Sequence, residues 1–406
     1  MRKIYPAPFS KKRRGIKKNK NKKRRGVYLD YAATTPVDPR VIKVMIPYFK
    51  EKFGNTVSLH SFGREAKEAL EKSREVAADL IKAKPKEIIF TSSATESNNL
   101  AIKGAALANQ KKGRHIIISP IEHLCVLESA QWLAKQGFKI TKLAVDKYGL
   151  INLNELKKAI SQETILVSII SASNEIGTLQ PLQEIGQICR QKGVYFHTDA
   201  AQSFGKIPID VNQMKIDLLT GCSHKIYGPK GAACLFVRDG IKIEPILSGG
   251  EHEFGLRAGT INVPAIVGFA EAIKLCQKEM AVEIKRLTKL RDKLISGVLK
   301  IKGAHLNGHP TKRLPNNANF WFDFIEGESI VIQLDSFGLA ASTGSACSSL
   351  KLEPSHVLLA VGLKPQEAHG SLRLTLGRWT TEKDIDYLLK VLPKVVEKLR
   401  KISPFK

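Results

Sequence analysis

The sequence predicts an α/β protein built on a mainly parallel sheet. From Glu87 onward, short apolar runs rich in Ile and Val alternate with segments that have helical spacing. The runs are EIIF (87–90), HIIIS (115–119), KITKLAV (139–145), TILVSII (164–170), VYFHTD (194–199), DLLTGC (217–222) and AACLFV (232–237). Their apolarity is continuous rather than alternating, which is typical of parallel strands that are buried on both faces.

A long helix is predicted around residues 279–301, where apolar residues recur at helical spacing. After it, strands and helices mix more loosely, so we interpret this helix as a bridge to a second, smaller α+β domain. The predicted organisation is a basic tail at 1–26, a large domain at 43–280, and a small domain formed by 27–42 and 281–406.

The composition of the 406 residues is that of a folded protein with room for two domains, with 43% hydrophobic and 25% charged residues. The sequence contains no apolar run of membrane-spanning length and no secretory signal pattern, so we expect a cytoplasmic protein. Six scattered cysteines lack the spacing of zinc ligands or of a disulfide framework, which favours reduced thiols.

Residues 1–26 form a strongly basic segment with thirteen Lys/Arg and no acidic residue, about half of the net charge of +27. Such a segment cannot bury apolar surface and is predicted to be disordered. A solvated extension, or a start codon assigned upstream of the folded domain, is favoured over an RNA-binding role, which stays open. A mitochondrial transit peptide is disfavoured because the segment is rich in Lys and poor in Ser.

Polar residues follow several of the predicted strands, where ligands gather in α/β sheets. After EIIF, a Ser/Thr turn with Thr95 opens a helix; it is either an ordinary N-cap, which we favour, or a phosphate cradle. Asp199 ends another strand, where a buried carboxylate requires a cationic partner or a structural ion pair.

The segment DLLTGCSHKIYGPKG is more specific, because His224 and Lys225 follow a strand directly. A lysine at the mouth of a buried sheet is costly unless it is paired or used chemically, and such lysines form Schiff bases. Together with a phosphate cradle and an acid for a ring nitrogen, this lysine meets the requirements of pyridoxal phosphate.

Cys347 lies in ASTGSACSSL (341–350), among residues that are nearly all small. This composition indicates either a buried, closely packed turn or a mobile loop that carries a thiol.

Eight blocks of the sequence resemble the group I cysteine desulfurases, the NifS/IscS-like branch of the class V aminotransferase family. The blocks are DYAATTPVDP (30–39), TSSATESNNLAIKG (91–104), EHLCVL (122–127), SNEIG (173–177), HTDAAQSFGKIPID (197–210), SHKIYGPKG (223–231), GLRAGTINVP (255–264) and GSACSSLKLEPSHVL (344–358). The resemblance runs from about residue 28 to residue 381. It implies fold type I of the pyridoxal phosphate enzymes and a homodimer with active sites at the subunit interface.

The resemblance also implies the reaction, in which L-cysteine becomes L-alanine and its sulfur remains on the enzyme as a Cys347 persulfide. Lys225 matches the Schiff-base lysine, and His123 matches the histidine over the cofactor ring that is thought to shuttle protons. Asp199 matches the partner of the pyridine nitrogen. Asn174 and Gln202 match residues near the phenolic oxygen, and Asn174 with Arg373 matches the substrate-binding pair.

The phosphate contacts implied by the resemblance are Ala94, Thr95 and His224, with Thr260 reaching across from the other subunit. Cys222 departs from the pattern, because relatives commonly carry a serine there. A thiol is a weaker donor than a hydroxyl, so the cofactor is held less tightly or Ser223 substitutes. On its residue type alone, Cys222 is more simply interpreted as a small buried residue.

The length of the block around Cys347 resembles the long-loop branch, with the loop at about 340–353. Its implied sulfur acceptors are an iron–sulfur scaffold protein and tRNA-thiolation enzymes. Two alternatives stay open: a selenocysteine lyase, and a cofactor-bearing scaffold that binds RNA through its basic tail.

Overall fold

The structure, a computed structural model, describes residues 26–344 and 353–404. The predictions for the tail before residue 26 and for Cys347 lie outside this part of the chain. The strands are β1 (Val27–Tyr28), β2 (Ile88–Thr91), β3 (His115–Ile118), β4 (Lys139–Lys142), β5 (Thr164–Ser168), β6 (Tyr195–Asp199), β7 (Leu218–Cys222), β8 (Ala233–Val237), β9 (Ala304–Asn307), β10 (Asn317–Phe322), β11 (Leu339–Ala340) and β12 (Ser371–Thr375).

The helices surround these strands. They are α1 (Pro39–Met45), α2 (Pro47–Lys50), α3 (Ser61–Ile81), α4 (Ala94–Asn99), α5 (Ala105–Asn109), α6 (Leu124–Lys135), α7 (Leu153–Ala159), α8 (Leu182–Lys192), α9 (Val263–Val298), α10 (Gly327–Ser336), α11 (His356–Ala360), α12 (Pro365–His369) and α13 (Glu382–Ile402). A π-helical turn, Leu100–Gly104, joins α4 to α5. In the described residues, no helix is both long and apolar enough to cross a membrane.

A seven-stranded sheet forms the centre of the larger part of the molecule, in the order β2-β8-β7-β6-β5-β3-β4. All neighbouring pairs are parallel except the two that include β8, which runs antiparallel to β2 and β7. The predicted α/β fold with a mainly parallel sheet is therefore confirmed. β5 and β7 are buried along their whole length, as continuous apolar runs require.

The strand predicted at 139–145 is shorter and less buried than expected. β4 covers only Lys139–Lys142, and both of its terminal lysines are exposed. It lies at the edge of the sheet, where it pairs only with β3 among the described strands. An edge strand with charged residues resists pairing with other chains.

The predicted helix at 279–301 is the second half of α9, which is 36 residues long. Asn262 caps its start by accepting a hydrogen bond from the Ala265 amide, and a proline follows in the first turn. The first half packs into the sheet core through Ile266, Phe269 and Ile273. Apolar residues cover several sides of this half, so its sequence shows less of the one-sided periodicity that reveals an amphipathic helix.

The second half of α9 packs into a separate core with a three-stranded antiparallel sheet, in the order β12-β10-β9, and with α10 and α13. Leu29, near the start of the described chain, packs in this second core, whereas Val41 packs in the first. The N-terminal segment therefore passes between the two cores. The exact domain limits stay a prediction.

Glu122 connects the segments that follow β3 and β5. Its Oε1 accepts hydrogen bonds from Ser119 Oγ at 2.5 Å and from the Ile170 amide at 2.7 Å, while only 1% of the residue is exposed. Burial raises the pKa of Glu122 to about 8, because the charged form loses its hydration.

We expect Leu294→Ala to lower the free energy of unfolding by about 2–5 kcal/mol, since Leu294 is fully buried in the second core and its loss leaves a cavity. Val282→Ala is the matched control, because Val282 lies on the same helix with 70% of its surface exposed. Urea unfolding followed by circular dichroism measures both. Equal effects of the two substitutions would contradict the assignment of Leu294 to the core.

We expect Glu122→Gln to remove a pH dependence of stability. Between about pH 5 and pH 8, the Glu122 carboxyl is protonated in the folded state and ionised in the unfolded state. The wild-type free energy of unfolding therefore falls relative to the variant's by up to about 1.4 kcal/mol per pH unit, and the difference levels off above that window. Exposed Glu184→Gln is the control. A difference that does not change with pH would refute a protonated Glu122.

Candidate active site

A cavity of about 370 Å³ opens where the parallel strands end, between the sheet core and the second core. Ten of the thirteen site residues expected from the sequence line this cavity: Ala94, Thr95, His123, Asn174, Asp199, Gln202, Cys222, His224, Lys225 and Arg373. Cys347 lies outside the described residues. Ser223 and Thr260 are described but are not among the lining residues.

Lys225 lies in a short 3₁₀ turn directly after β7. Its Nζ donates to the carbonyl oxygens of Ala32 and Ala33. Within the described residues, no carboxylate lies within ion-pair distance of this amine. Burial lowers the pKa of Lys225, since the ammonium form loses hydration without a paired charge.

Asp199 ends β6 with only 3% of its surface exposed. Its Oδ1 accepts a hydrogen bond from the Ala201 amide at 2.9 Å, and its Oδ2 accepts one from Asn98 Nδ2 at 2.7 Å. These two donors fix the carboxylate at the cavity wall. Asp199 thus brings a buried acidic group into the same cavity as the Lys225 amine.

His123 caps the start of α6. Its Nδ1 accepts a hydrogen bond from the Cys125 amide at 3.2 Å, and the Cys125 Sγ lies 2.9 Å from the same nitrogen. Burial lowers the pKa of His123, and the nearby Asp199 carboxylate opposes that shift. The ring therefore favours the neutral form.

Arg373 is the middle residue of β12, and it reaches the cavity from the side of the second core. Its Nη2 donates to Asp30 Oδ1 at 2.8 Å, and its Nη1 donates to the Asn174 carbonyl at 2.9 Å and the Gly344 carbonyl at 3.2 Å. Its Nε is buried without a partner among the described atoms. An unfilled guanidinium donor at a cavity wall suits a bound carboxylate.

The start of α4 at Ala94 is also part of the cavity lining. Ser93 caps α4 by accepting from the Glu96 amide at 3.1 Å, which leaves the amides of Ala94 and Thr95 as the first-turn donors available to an anion. His224 Nδ1 lies 3.1 Å from Thr34 Oγ1. Burial and the neighbouring Lys225 lower the pKa of His224 to about 4, which makes it a neutral hydrogen-bonding group near pH 7.

Cys222 and Ser223 differ in where their side chains lie. Cys222 is buried and lines the cavity, and burial raises the pKa of its thiol to about 11. A Cβ built on Gly228 would lie 2.1 Å from Ser223 Oγ, so that hydroxyl packs against Gly228, where it is buried without a hydrogen-bond partner among the described atoms. Ser223 does not line the cavity, and the expectation that it replaces the missing serine stays a prediction.

Thr260 is exposed in the segment before α9 and does not line the cavity of its own chain. This position is compatible with the expected contact across a dimer, which stays a prediction.

Gln202 is oriented by two hydrogen bonds. Its Nε2 donates to the Ala32 carbonyl at 2.9 Å, and its Oε1 accepts from Lys206 Nζ at 3.4 Å. Burial lowers the pKa of Lys206 to about 8. The Gln202 amide nitrogen is thereby turned toward the same segment that holds the Lys225 amine.

Sequence reasoning missed several residues that shape the cavity. They are Asp30, Asn98, Glu122, Cys125, Glu175, Lys206 and His356. All seven lie within the quoted blocks, but most of their roles depend on partners far away in sequence. Cys125 alone has a local signal, since it lies two residues after His123.

This set of groups fits pyridoxal phosphate. The cavity combines a lysine amine without a paired carboxylate, a buried acid held by two donors, free helix amides and an arginine with a vacant donor. These are the groups that the cofactor's aldehyde, ring nitrogen and phosphate and an amino-acid carboxylate require. The volume of about 370 Å³ lies in the range of roughly 300–1,000 Å³ typical of cofactor and ligand sites.

Comparisons with known proteins agree with this chemistry. A cysteine desulfurase IscS from Methanosarcina thermophila is 52% identical over 386 residues, which cover 95% of this chain and 96% of that protein. A solved NifS-like protein superposes with a TM-score of 0.87 at 39% identity, covering 92% of this chain and all of the other. A structure of SspA in complex with cysteine gives a TM-score of 0.77 at 37% identity, covering 87% and 100% of the two chains.

The family model that describes aminotransferase class-V proteins matches residues 27–388, which include the sheet core, most of the second core and every lining residue of the cavity. The match extends over far more than half of the chain. This chain therefore belongs to the aminotransferase class-V family of pyridoxal phosphate-dependent enzymes.

Proposed function

We propose that the chain is a cysteine desulfurase that converts L-cysteine to L-alanine and retains the sulfur as a persulfide on Cys347. The observation that carries this proposal is the meeting of Lys225, Asp199, His123 and Arg373 in one cavity. The names of relatives at about 50% identity support the same activity.

Arg373 is proposed to bind the substrate carboxylate, together with Asn174. Its ion pair with Asp30 and its bonds to two carbonyl oxygens fix the guanidinium plane, which leaves the buried Nε as an available donor. A rigid, always charged donor group suits a carboxylate better than a flexible ammonium. The structure of SspA with cysteine, a protein similar to this chain, supports cysteine as the substrate.

Lys225, Asp199 and the start of α4 are proposed to hold the cofactor. Lys225 would bind its aldehyde carbon, Asp199 its ring nitrogen, and Ala94, Thr95 and His224 its phosphate, with Gln202 and Asn174 near the phenolic oxygen. Cys222 is proposed as a wall of that site, and Thr260 as a phosphate contact to the partner subunit. When bound, pyridoxal phosphate supplies an electron sink for the bonds around the substrate Cα.

Two groups of the chain are suited to move protons in this site. The lowered pKa of Lys225 increases the share of free amine near neutral pH. Once Lys225 is no longer bonded to the cofactor, its Nζ can therefore take a proton from the substrate Cα. His123, neutral and next to the same cavity, can exchange a proton with the substrate through its ring.

Cys347 is proposed to act as the nucleophile toward sulfur. Its thiolate attacks the sulfur of the substrate, so that a sulfur–sulfur bond forms and the substrate carbon–sulfur bond breaks. The electron pair of the broken bond stays with the carbon fragment, which takes up protons and leaves as alanine. The enzyme keeps a Cys347 persulfide, and no external oxidant or reductant is required.

An exposed apolar surface supports a homodimer. Phe49, Phe53, Leu59 and Phe62 lie close in sequence and are 64%, 65%, 90% and 49% exposed. Several large exposed apolar side chains in one region are typical of an interaction surface. We propose that a second copy of the chain covers them.

The sulfur acceptors are proposed to be an iron–sulfur scaffold protein and tRNA-thiolation enzymes, in accord with the long-loop resemblance. We propose the cytoplasm as the location, where thiols stay reduced. The five cysteines in the described part of the chain are all free, which is compatible with that environment.

We expect purified protein mixed with L-cysteine to form alanine and protein-bound persulfide together, with a shift of cofactor absorbance. Cys347→Ala is expected to keep the cofactor and the absorbance shift but to lose alanine formation by at least about a thousandfold, as other enzymes do without their nucleophile. Cys189→Ala, a buried cysteine in the sheet core, is the control. Full turnover by Cys347→Ala would exclude the proposed nucleophile, and equal or faster turnover of L-selenocysteine would favour a selenocysteine lyase.

We propose RNA contact by the basic segment 1–26 only as the alternative to the favoured solvated extension, and the following experiment decides between them. The full chain is then expected to bind single-stranded RNA with an affinity that falls steeply as salt rises, because phosphate contacts release counterions. Removal of residues 1–26 should abolish that dependence and leave alanine formation unchanged. Fluorescence anisotropy across a salt series measures the effect, and unchanged RNA binding after truncation would contradict it.

A further inference from the structure

We propose that Cys125 is a positioning residue for His123. Its thiol keeps Nδ1 of His123 as a hydrogen-bond acceptor, so that the neutral ring carries its proton on Nε2. The role of this tautomer in turnover rests on the proposed desulfurase function, whereas the hydrogen-bond network itself does not.

The network contains five side chains from three parts of the fold, one of which is Thr95 of α4, whose side chain also bonds to Cys125. Asn98 Nδ2, on α4, donates to Asp199 Oδ2 at 2.7 Å and to Cys125 Sγ at 3.1 Å. Cys125 Sγ lies 2.9 Å from His123 Nδ1. Asn98 is fully buried and Cys125 is 9% exposed, so water competes little for these bonds.

The number of hydrogens decides the direction of the bonds. The amide nitrogen of Asn98 carries two hydrogens, which account for its bonds to Asp199 and Cys125. The Cys125 sulfur therefore accepts from Asn98, and it also accepts from the Thr95 hydroxyl, since that bond lowers the pKa of the thiol. Its own single proton then points at His123 Nδ1. A second donor, the Cys125 amide, already faces that nitrogen at 3.2 Å.

Two donors directed at Nδ1 leave no place for a proton there. The Cys125 backbone amide cannot turn round, because it belongs to the first turn of α6. The proton of the neutral ring must then occupy Nε2, and a second proton would break both bonds at Nδ1. His123 is thus held as a neutral Nε2–H donor beside the cavity.

The charged groups around the His123 ring act on its neutral form in opposite directions. Lys225 and His356 lower the pKa of His123, whereas Asp199 raises it, and burial is the largest contribution. The Asn98–Cys125 bridge connects His123 to Asp199 through hydrogen bonds without placing a second acceptor beside Nδ1. The bridge therefore stabilises the neutral ring against the pull of the Asp199 carboxylate.

The buried thiol is suited to donate rather than to react. Burial raises the pKa of Cys125 to about 12, with a further contribution from the Asp199 charge. The thiol keeps its proton near neutral pH, and only a thiolate is a good sulfur nucleophile. A second cysteine at the cavity wall therefore supports His123 without competing for the sulfur of the substrate.

The test is nitrogen NMR of the holoenzyme with 15N-labelled histidine. The chain has ten histidines, and the signal lost in His123→Gln identifies the ring. In the wild type we expect Nδ1 at the shift of an unprotonated acceptor and Nε2 at that of a protonated nitrogen. A proton on Nδ1 in the neutral wild-type ring would overturn the proposal without any variant of Cys125.

Cys125→Ala removes one donor to Nδ1 and is expected to raise the pKa of His123 by about half a unit to one unit, because the neutral ring loses a hydrogen bond. Cys125→Ser, whose hydroxyl can both accept and donate, should restore a pKa close to that of the wild type. Cys189→Ala is the matched control and should leave the titration unchanged. An unchanged His123 titration in Cys125→Ala would refute the positioning role.

The pH profile of alanine formation separates this proposal from the proposed function. If the NMR titration shifts and the limb of the profile assigned to His123 moves with it, both stand. If the wild-type enzyme forms no alanine from L-cysteine while the NMR result holds, the desulfurase function fails and the role of Cys125 stands. If the wild-type enzyme forms alanine from L-cysteine but the His123 titration does not shift in Cys125→Ala, the desulfurase function stands and the positioning role of Cys125 fails.

Discussion

The largely buried Lys225 amine has only backbone carbonyl oxygens as hydrogen-bond partners among the described atoms, and these oxygens hold it at the cavity wall. One core supplies the lysine from the end of β7, while the carbonyl groups belong to Ala32 and Ala33, just after a segment whose Leu29 packs in the other core. A buried ammonium without a carboxylate is unstable relative to the free amine. The junction of the two cores therefore creates a reactive nitrogen.

The same junction assembles the other charged groups. Arg373 comes from the second core and Asp199 from the large sheet. The Arg373 guanidinium is fixed by its ion pair with Asp30, and the Asp199 carboxylate by the hydrogen bond from the Ala201 amide. α9 packs into both cores, so their relative placement follows from one continuous helix. Because a helix is stiff over this length, the cavity walls are held by the scaffold rather than by contacts within the cavity itself.

Sulfur chemistry in this protein depends on keeping most thiols inactive. All five cysteines in the described residues are buried, and burial raises the pKa of each thiol, including Cys125 and Cys222 at the cavity wall. Neutral thiols can pack and donate hydrogen bonds without attacking a substrate. A site that handles sulfur can thus contain several cysteines and still direct the reaction to one.

The sequence alone determined the sheet, because seven continuous apolar runs require burial on both faces, and it determined the residues at the strand ends, because their types suit one cofactor. It could not determine that Ser223 packs against Gly228, that Asp30 pairs with Arg373, or that Asn98 joins Asp199 to Cys125. These features depend on contacts between residues up to 343 positions apart. Local patterns specify elements and residue chemistry, whereas only the packed chain fixes which partner each side chain meets.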